Sequence, residues 1–415
     1  MTAPSVTIGS GFNGVGRTRR QLRMALLIGL PLAALAVACS SNGPEPGPSS
    51  TTISQPGPTE TAVPTPATQA STQQVPASSA AVPTPRPGTA LLVNTLITGL
   101  SVPWGLGFLP DGTALVTGRD DGSINSIAPG ATGTTSVGTV DGVAHGGEGG
   151  LLGLAVSPGF ATDGVLYIYY TAADDNRIAT VVLRNGALSD QTVILDGIPK
   201  GGIHNGGRMT FGPDGLLYVG TGESGDRPIA QDLSSLGGKI LRLSPDGSPA
   251  PGNPVPDAPY VYTYGHRNVQ GLAFDDRGRL WASEFGQNTW DELNLITAGG
   301  NYGWPEIEGQ VARDGFVEPE RVWPTDAASP SGIAFWQGSI WMAGLRGERL
   351  WQIPLTDSAT DPTGEPVAQL TEAYGRLRTP QVAPDGSLWV STSNTDGRGD
   401  VRDGDDRILR LEFES

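Results

Sequence analysis

The sequence predicts an all-β fold, a six-bladed β-propeller of four-stranded antiparallel sheets, on three observations. One phrase of small and apolar residues ending in a tight turn recurs six times, at a spacing of about fifty to sixty residues, the range of propeller blades. Each copy is followed at once by a second apolar run of strand length, so each reads as a hairpin. No part of the repeated region carries apolar residues at helical spacing over a useful length. Small antiparallel sheets set around one axis bury such hairpins against each other. Coincidental turns in a β-sandwich would not hold so regular a phase.

The copies run in order through the chain. Residues 104–112 read WGLGFLPDG, and the partner run is 114–117. Residues 152–160 (LGLAVSPGF) are followed by 165–170, and residues 208–215 (RMTFGPDG) by 216–220. Residues 270–278 (QGLAFDDRG) precede 280–283, residues 331–338 (SGIAFWQG) precede 339–343, and residues 379–386 (TPQVAPDG) precede 387–391. The propeller is assigned to residues 89–415.

Two segments precede it. Residues 1–39 read as an export signal: Arg17, Arg19, Arg20 and Arg23 lead an apolar run at 24–37 too short to span a bilayer comfortably. The run ends Leu35-Ala36-Val37-Ala38-Cys39, which resembles a bacterial lipobox with Ala36 in place of the usual leucine. Cys39 is then the lipidated residue, and as the chain's one cysteine it leaves the exported domain without a disulfide. Residues 18–22 (TRRQL) also partly resemble a twin-arginine signal. Residues 40–88 are Ser, Thr, Pro and Ala with almost no large apolar side chain, the composition of a disordered, fairly extended tether. The expected location is outside the cytoplasm, on the membrane through the lipid alone. The formal net charge of −16 argues against nucleic acid as a partner.

The loops between strands carry the candidate chemistry. The stretch 201–223 holds His204, one of three histidines, then Gly206-Gly207 and Arg208, then a hairpin ending at Glu223. A hairpin can bring its two ends together, so His204 reads as a general base and Glu223 as the carboxylate that orients it. His145 and His266 read as structural, as do Trp290, Trp304, Trp341 and Trp389. Asp403, Asp405 and Asp406 read as a solvated acidic end.

Four phrases resemble the soluble glucose/sorbosone dehydrogenases, including aldose sugar dehydrogenases, over nearly all of residues 91–412. They are Leu151-Leu152-Gly153, His204 with its Gly-Gly-Arg, Gly265-His266-Arg267-Asn268, and the run from Asp291 to Trp304. The resemblance implies pyrroloquinoline quinone and calcium as cofactors, an aldose as substrate and an external electron acceptor. It implies that His204 is the base and Glu223 its partner, and that Arg267, Asn268, Arg346, Arg376 and Arg378 hold the cofactor. It places Glu148 and Trp323 against the sugar. It gives the Gly286 and Gln287 carbonyls to the catalytic calcium, and Glu292 and Tyr302 to a second, structural one. The reaction implied is oxidation of the sugar to a lactone, with hydride to the quinone.

The charges agree with a ligand carrying several carboxylates: an acidic protein that binds one needs arginines gathered in one place. The chain departs from the family pattern at Phe285 and Ile203, at Glu148 where a neutral residue is usual, and at Arg346 where a lysine is usual. Two other readings compete, a non-catalytic binding propeller and a calcium-dependent lactonase.

Overall fold

The structure, a computed structural model, describes residues 91–414. The export signal, Cys39 and the tether lie outside the described residues. Six four-stranded antiparallel sheets are formed. Five are continuous in the chain, over residues 103–139, 151–198, 209–264, 269–324 and 330–369. The sixth joins Leu377–Val382, Leu388–Thr392 and Ile408–Phe413 to the N-terminal strand Leu91–Ile97, which pairs along the outer edge from Leu91↔Phe413 to Ile97↔Ile408. The ring is therefore closed by pairing between its two chain ends. The only helical segments are the single turns Phe160–Asp163 and Arg227–Ala230 among the described residues.

Each repeat phrase forms the innermost strand of its blade and the turn that follows, and innermost strands of neighbouring blades touch. The second residue of the phrase explains how they fit. It is glycine in four blades. A Cβ on Gly153 would lie 2.0 Å from the Gly207 carbonyl oxygen, and one on Gly271 2.6 Å from that of Ser331. A Cβ on Gly105 or Gly332 would lie 2.9 Å from a carbonyl oxygen of the next blade. The pairing register shifts at all four glycines, which bends the inner strand at its point of closest approach.

Counted back from the turn, because their phrases are one residue shorter, the third and sixth blades have Arg208 and Thr379 at the place of this glycine, and these meet across the axis, Arg208 Nη2 donating to Thr379 Oγ1 at 2.9 Å. Thr379 Oγ1 donates in turn to the Trp104 carbonyl at 2.6 Å, tying the last blade to the first. Thr117 and Ser283 make the same kind of tie, to the carbonyls of Leu152 and Ser331.

The apolar core is divided among the gaps. One buried cluster fills each interface between neighbouring blades, including Leu106 and Ala114 against Trp389 and Ile408 where the last blade meets the first. Trp341 is fully buried and Trp389 and Trp304 nearly so, in agreement with a packing role. The expected solvated acidic end is not one. Asp406 is fully buried, accepting from the Asn394 and Thr395 amides and the Thr392 hydroxyl, so it organises the loop before it.

Gly153→Ala is expected to lower stability by about 1–3 kcal/mol, because backbone must move to admit the methyl group. Gly133→Ala, where a Cβ meets nothing within 4 Å, is the control. Denaturant unfolding of both variants checks this, and equal midpoints would remove the axial-contact account.

Candidate active site

The base candidate sits in a strained loop. His204 has φ +56°, a left-handed conformation rare for a side chain with a Cβ. Three contacts hold it there. Its N–H donates to Glu148 Oε2 at 2.9 Å, its carbonyl accepts from the Ser224 amide at 3.1 Å, and its ring Nδ1 is hydrogen-bonded to Glu223 Oε1. Glycine at 222 is required, since a Cβ there would lie 1.9 Å from the His204 carbonyl oxygen. With Nδ1–H given to a carboxylate, the lone pair is on Nε2. The hairpin does bring its ends together, as the spacing requires. Glu223 is 1 % exposed, and its Oε2 has no hydrogen-bond partner among the described residues. Asn268 supports the same loop, its Oδ1 accepting from the Gly206 amide at 3.0 Å.

His204 opens on a cavity of about 440 Å³ at one mouth of the propeller. Glu148, Arg267, Asn268, Gly286, Gln287, Arg346, Arg376 and Arg378 line it, so loops from five blades converge. One residue expected at the cavity is elsewhere, and the two expected at a second, structural ion site border a void of their own. Trp323 is buried at 5 % exposure in the core between the fourth and fifth blades, against Trp351, and cannot face a ligand there; Thr325, two residues on, lines the cavity instead. Glu292 and Tyr302 border a separate void of about 10 Å³ beside Glu284 and Glu308. The Glu292 carboxylate already accepts from the Gly309 amide, and the Tyr302 hydroxyl donates to the Leu295 carbonyl. No three acidic or histidine side chains converge as a metal-binding set among the described residues.

The cavity is cationic inside an acidic chain. Six arginines and three carboxylates line it. Sequence reasoning missed Arg119, Asp291, Asp396 and Arg398, and also Trp104 and Gln270, which occupy the first position of their repeat phrases. Asp396 Oδ2 accepts from Arg376 Nη2 at 2.9 Å and Arg378 Nη2 at 3.2 Å. Burial works to raise the Asp396 carboxyl, but Arg378 and Arg376 outweigh it and hold it below its ordinary range. Arg378 is itself pushed down to about 10 by burial, against Asp396, with Arg376 and Arg119 adding to the shift. Below it Arg208 is lowered to about 9 by burial and by Arg378, with its guanidinium 4.3 Å from the Trp104 ring centroid. Such crowding of buried cations is costly without an anion nearby.

The loop after the fourth blade's second strand presents oxygen. Glu308 Oε1 accepts the amides of Gln287, Thr289 and Trp290, and Asp291 Oδ1 accepts that of Gly286 at 2.9 Å. Burial raises the Asp291 carboxyl to about 7 against the hydrogen bonds it accepts from the Ser329 and Gly286 amides. With their amides turned to the two carboxylates, the Gly286 and Gln287 carbonyls accept no hydrogen bond among the described residues.

His266 is structural as expected, fully buried with Nδ1 on Glu284 and Nε2 on Thr263. His145 is at the rim, its Nδ1 3.1 Å from Asp120.

A carboxylate-oriented histidine over an arginine-lined mouth defines a propeller enzyme. The chain belongs to the glucose/sorbosone dehydrogenase family, whose model matches residues 100–409. An aldose sugar dehydrogenase of Escherichia coli is 30% identical over 336 residues, covering 74% of this chain and 91% of that protein. The structure of the PQQ-bound form of an aldose sugar dehydrogenase from Streptomyces coelicolor is similar at 56% identity and a TM-score of 0.75, covering 79% of this chain and 100% of that one. An oxidoreductase of Thermus thermophilus, described as a glucose dehydrogenase, is similar at 45% identity and a TM-score of 0.74, covering 78% of this chain and 100% of that one.

Proposed function

We propose that the protein oxidises aldose sugars to lactones, with pyrroloquinoline quinone and calcium bound in the cationic cavity and electrons passed to an external acceptor. The observation that carries this reading is the set of six arginines set against three carboxylates beside the His204–Glu223 pair. The residues fit both groups. Arg267, Arg346, Arg376 and Arg378 would hold the carboxylates of the quinone, with charge-assisted geometry suited to them. The unpartnered Gly286 and Gln287 carbonyls suit a hard cation that prefers oxygen. When bound, the quinone supplies the two-electron acceptor and the ion supplies a Lewis acid.

The chain supplies the proton chemistry and the positioning. His204 Nε2 accepts the proton of the anomeric hydroxyl, and Glu223 fixes the ring and stabilises the imidazolium that forms. Burial of Glu223 keeps that stabilisation out of water. The lactonase reading has no observation behind it, since no three acidic or histidine side chains converge at the axis among the described residues. A non-catalytic binding propeller would have no use for a strained histidine held by three contacts.

We also propose that Cys39 carries a lipid and that residues 40–88 tether the propeller outside the cytoplasm, ending at the strand Leu91–Ile97. No helix of the described residues is long and apolar enough to cross a membrane.

Three outcomes check these readings. Purified apo protein is expected to bleach a redox dye with glucose only when quinone and calcium are added together, and Arg378→Ala to raise the quinone concentration needed about ten-fold, as loss of one charge-assisted contact does. Failure to bleach with any aldose at saturating cofactors, with no quinone absorbance retained, would make the protein a binding propeller. His204→Ala is expected to retain cofactor and lose turnover by about a hundred-fold; near-normal turnover would take His204 out of the mechanism. For the anchor, Cys39→Ala should move the protein from the membrane fraction to the soluble one, and unchanged partition contradicts lipidation.

A further inference from the structure

We infer that Arg398 is a positioning residue for His204, acting through Glu148; the inference rests on the reading of His204 as the base. Arg398 lies in the loop that follows the sixth blade's second strand, far from His204 in the chain. Its Nη1 donates to Glu148 Oε1 at 2.7 Å, across the cavity mouth. The other oxygen of Glu148 accepts the His204 amide at 2.9 Å. One carboxylate therefore spans from the base to the last blade. Glu148 was expected to face the sugar, and a further lone pair on each oxygen still permits that. Both oxygens nonetheless have fixed partners in the protein before any sugar arrives.

The strut continues on the far side. The Arg398 amide donates to Asp396 Oδ1 at 2.9 Å, and Asp396 Oδ2 holds Arg376 and Arg378. Base and clamp are thus connected by one line of polar contacts through Glu148, Arg398 and Asp396.

His204 needs such support because a left-handed backbone at a non-glycine residue costs energy and persists only when its surroundings impose it. The Glu148 side chain is 20 % exposed, so solvent competes for it. Arg398 directs Oε1, and the other oxygen is thereby kept on the His204 amide. Without the guanidinium the backbone tie from the Glu148 amide to the Gly202 carbonyl, at 3.0 Å, remains, but nothing fixes the carboxylate. Arg398 is itself 57 % exposed in its side chain, so replacing it leaves the blade cores untouched.

The test compares Arg398→Gln and Arg398→Lys in the full chain. Loaded with pyrroloquinoline quinone and calcium and given glucose, Arg398→Gln should lose kcat about ten-fold with KM within about two-fold, the pattern of a displaced catalytic group. Lysine should restore most of it. In apo protein, the low-field proton resonance of the His204–Glu223 hydrogen bond, identified by its loss in His204→Ala, should broaden or move in Arg398→Gln and return in Arg398→Lys. An unmoved resonance with wild-type kcat overturns the inference. An unmoved resonance with a raised KM alone also overturns it, and makes Arg398 a sugar contact. If the wild type oxidises no sugar, the proposed function fails, and the apo resonance alone decides whether Arg398 positions His204.

Discussion

Six inner strands share one axis, and the space around it admits backbone far more readily than side chains. That crowding selects glycine at the second position of the repeat phrase in four blades, and it bends each of those strands at the glycine. The two blades that break the rule do so as a pair. Arg208 and Thr379 come from blades on opposite sides of the ring and bond to each other, so the axis is filled by one interaction instead of two competing ones. The residue preceding Thr379 is Arg378, which the same bend directs into the cavity. The site is built where the repeat departs from its own pattern.

Charge follows from that geometry. Arginines placed around a narrow axis lose water and repel one another, and Arg208 and Arg378 both have lowered proton affinity for that reason. Asp396 relieves part of the crowding by accepting from Arg376 and Arg378 together. The remaining excess of positive charge gives the mouth a use for an anionic ligand. The protein's overall acidity does not oppose this, because exposed charges beyond about 10 Å are screened while those in the cavity are not.

The blades were legible because period and turn chemistry repeat: all six phrases and their partner strands are where the pattern puts them, within a residue or two. The histidine–carboxylate pair was legible because a hairpin fixes the distance between its ends. Other features left no comparable signal. Leu91–Ile97 is seven residues of mixed burial, and nothing in its own composition says that its partner is Ile408–Phe413. Asp396 and Arg398 lie in a Gly- and Asp-rich stretch that reads as a solvated turn. Only the fold reveals that Asp396 is buried between two arginines. Trp323 went wrong in the opposite way: an aromatic beside a predicted site loop in fact packs its ring between the fourth and fifth blades.

Closure of the ring by its two ends also sets an order of events. The first strand of the propeller is made before all the others and has no partner until the last strand emerges. The blade that the two strands complete is the one that carries Arg376 and Arg378. The placing of those arginines and the closure of the ring are therefore finished in the same step. A nascent or truncated chain that stops short of Ile408 has five whole blades, an unpaired leading edge and an unfinished blade beneath those arginines. Completeness of the propeller is in this way a condition for the arginine group at its mouth, with no separate checkpoint required.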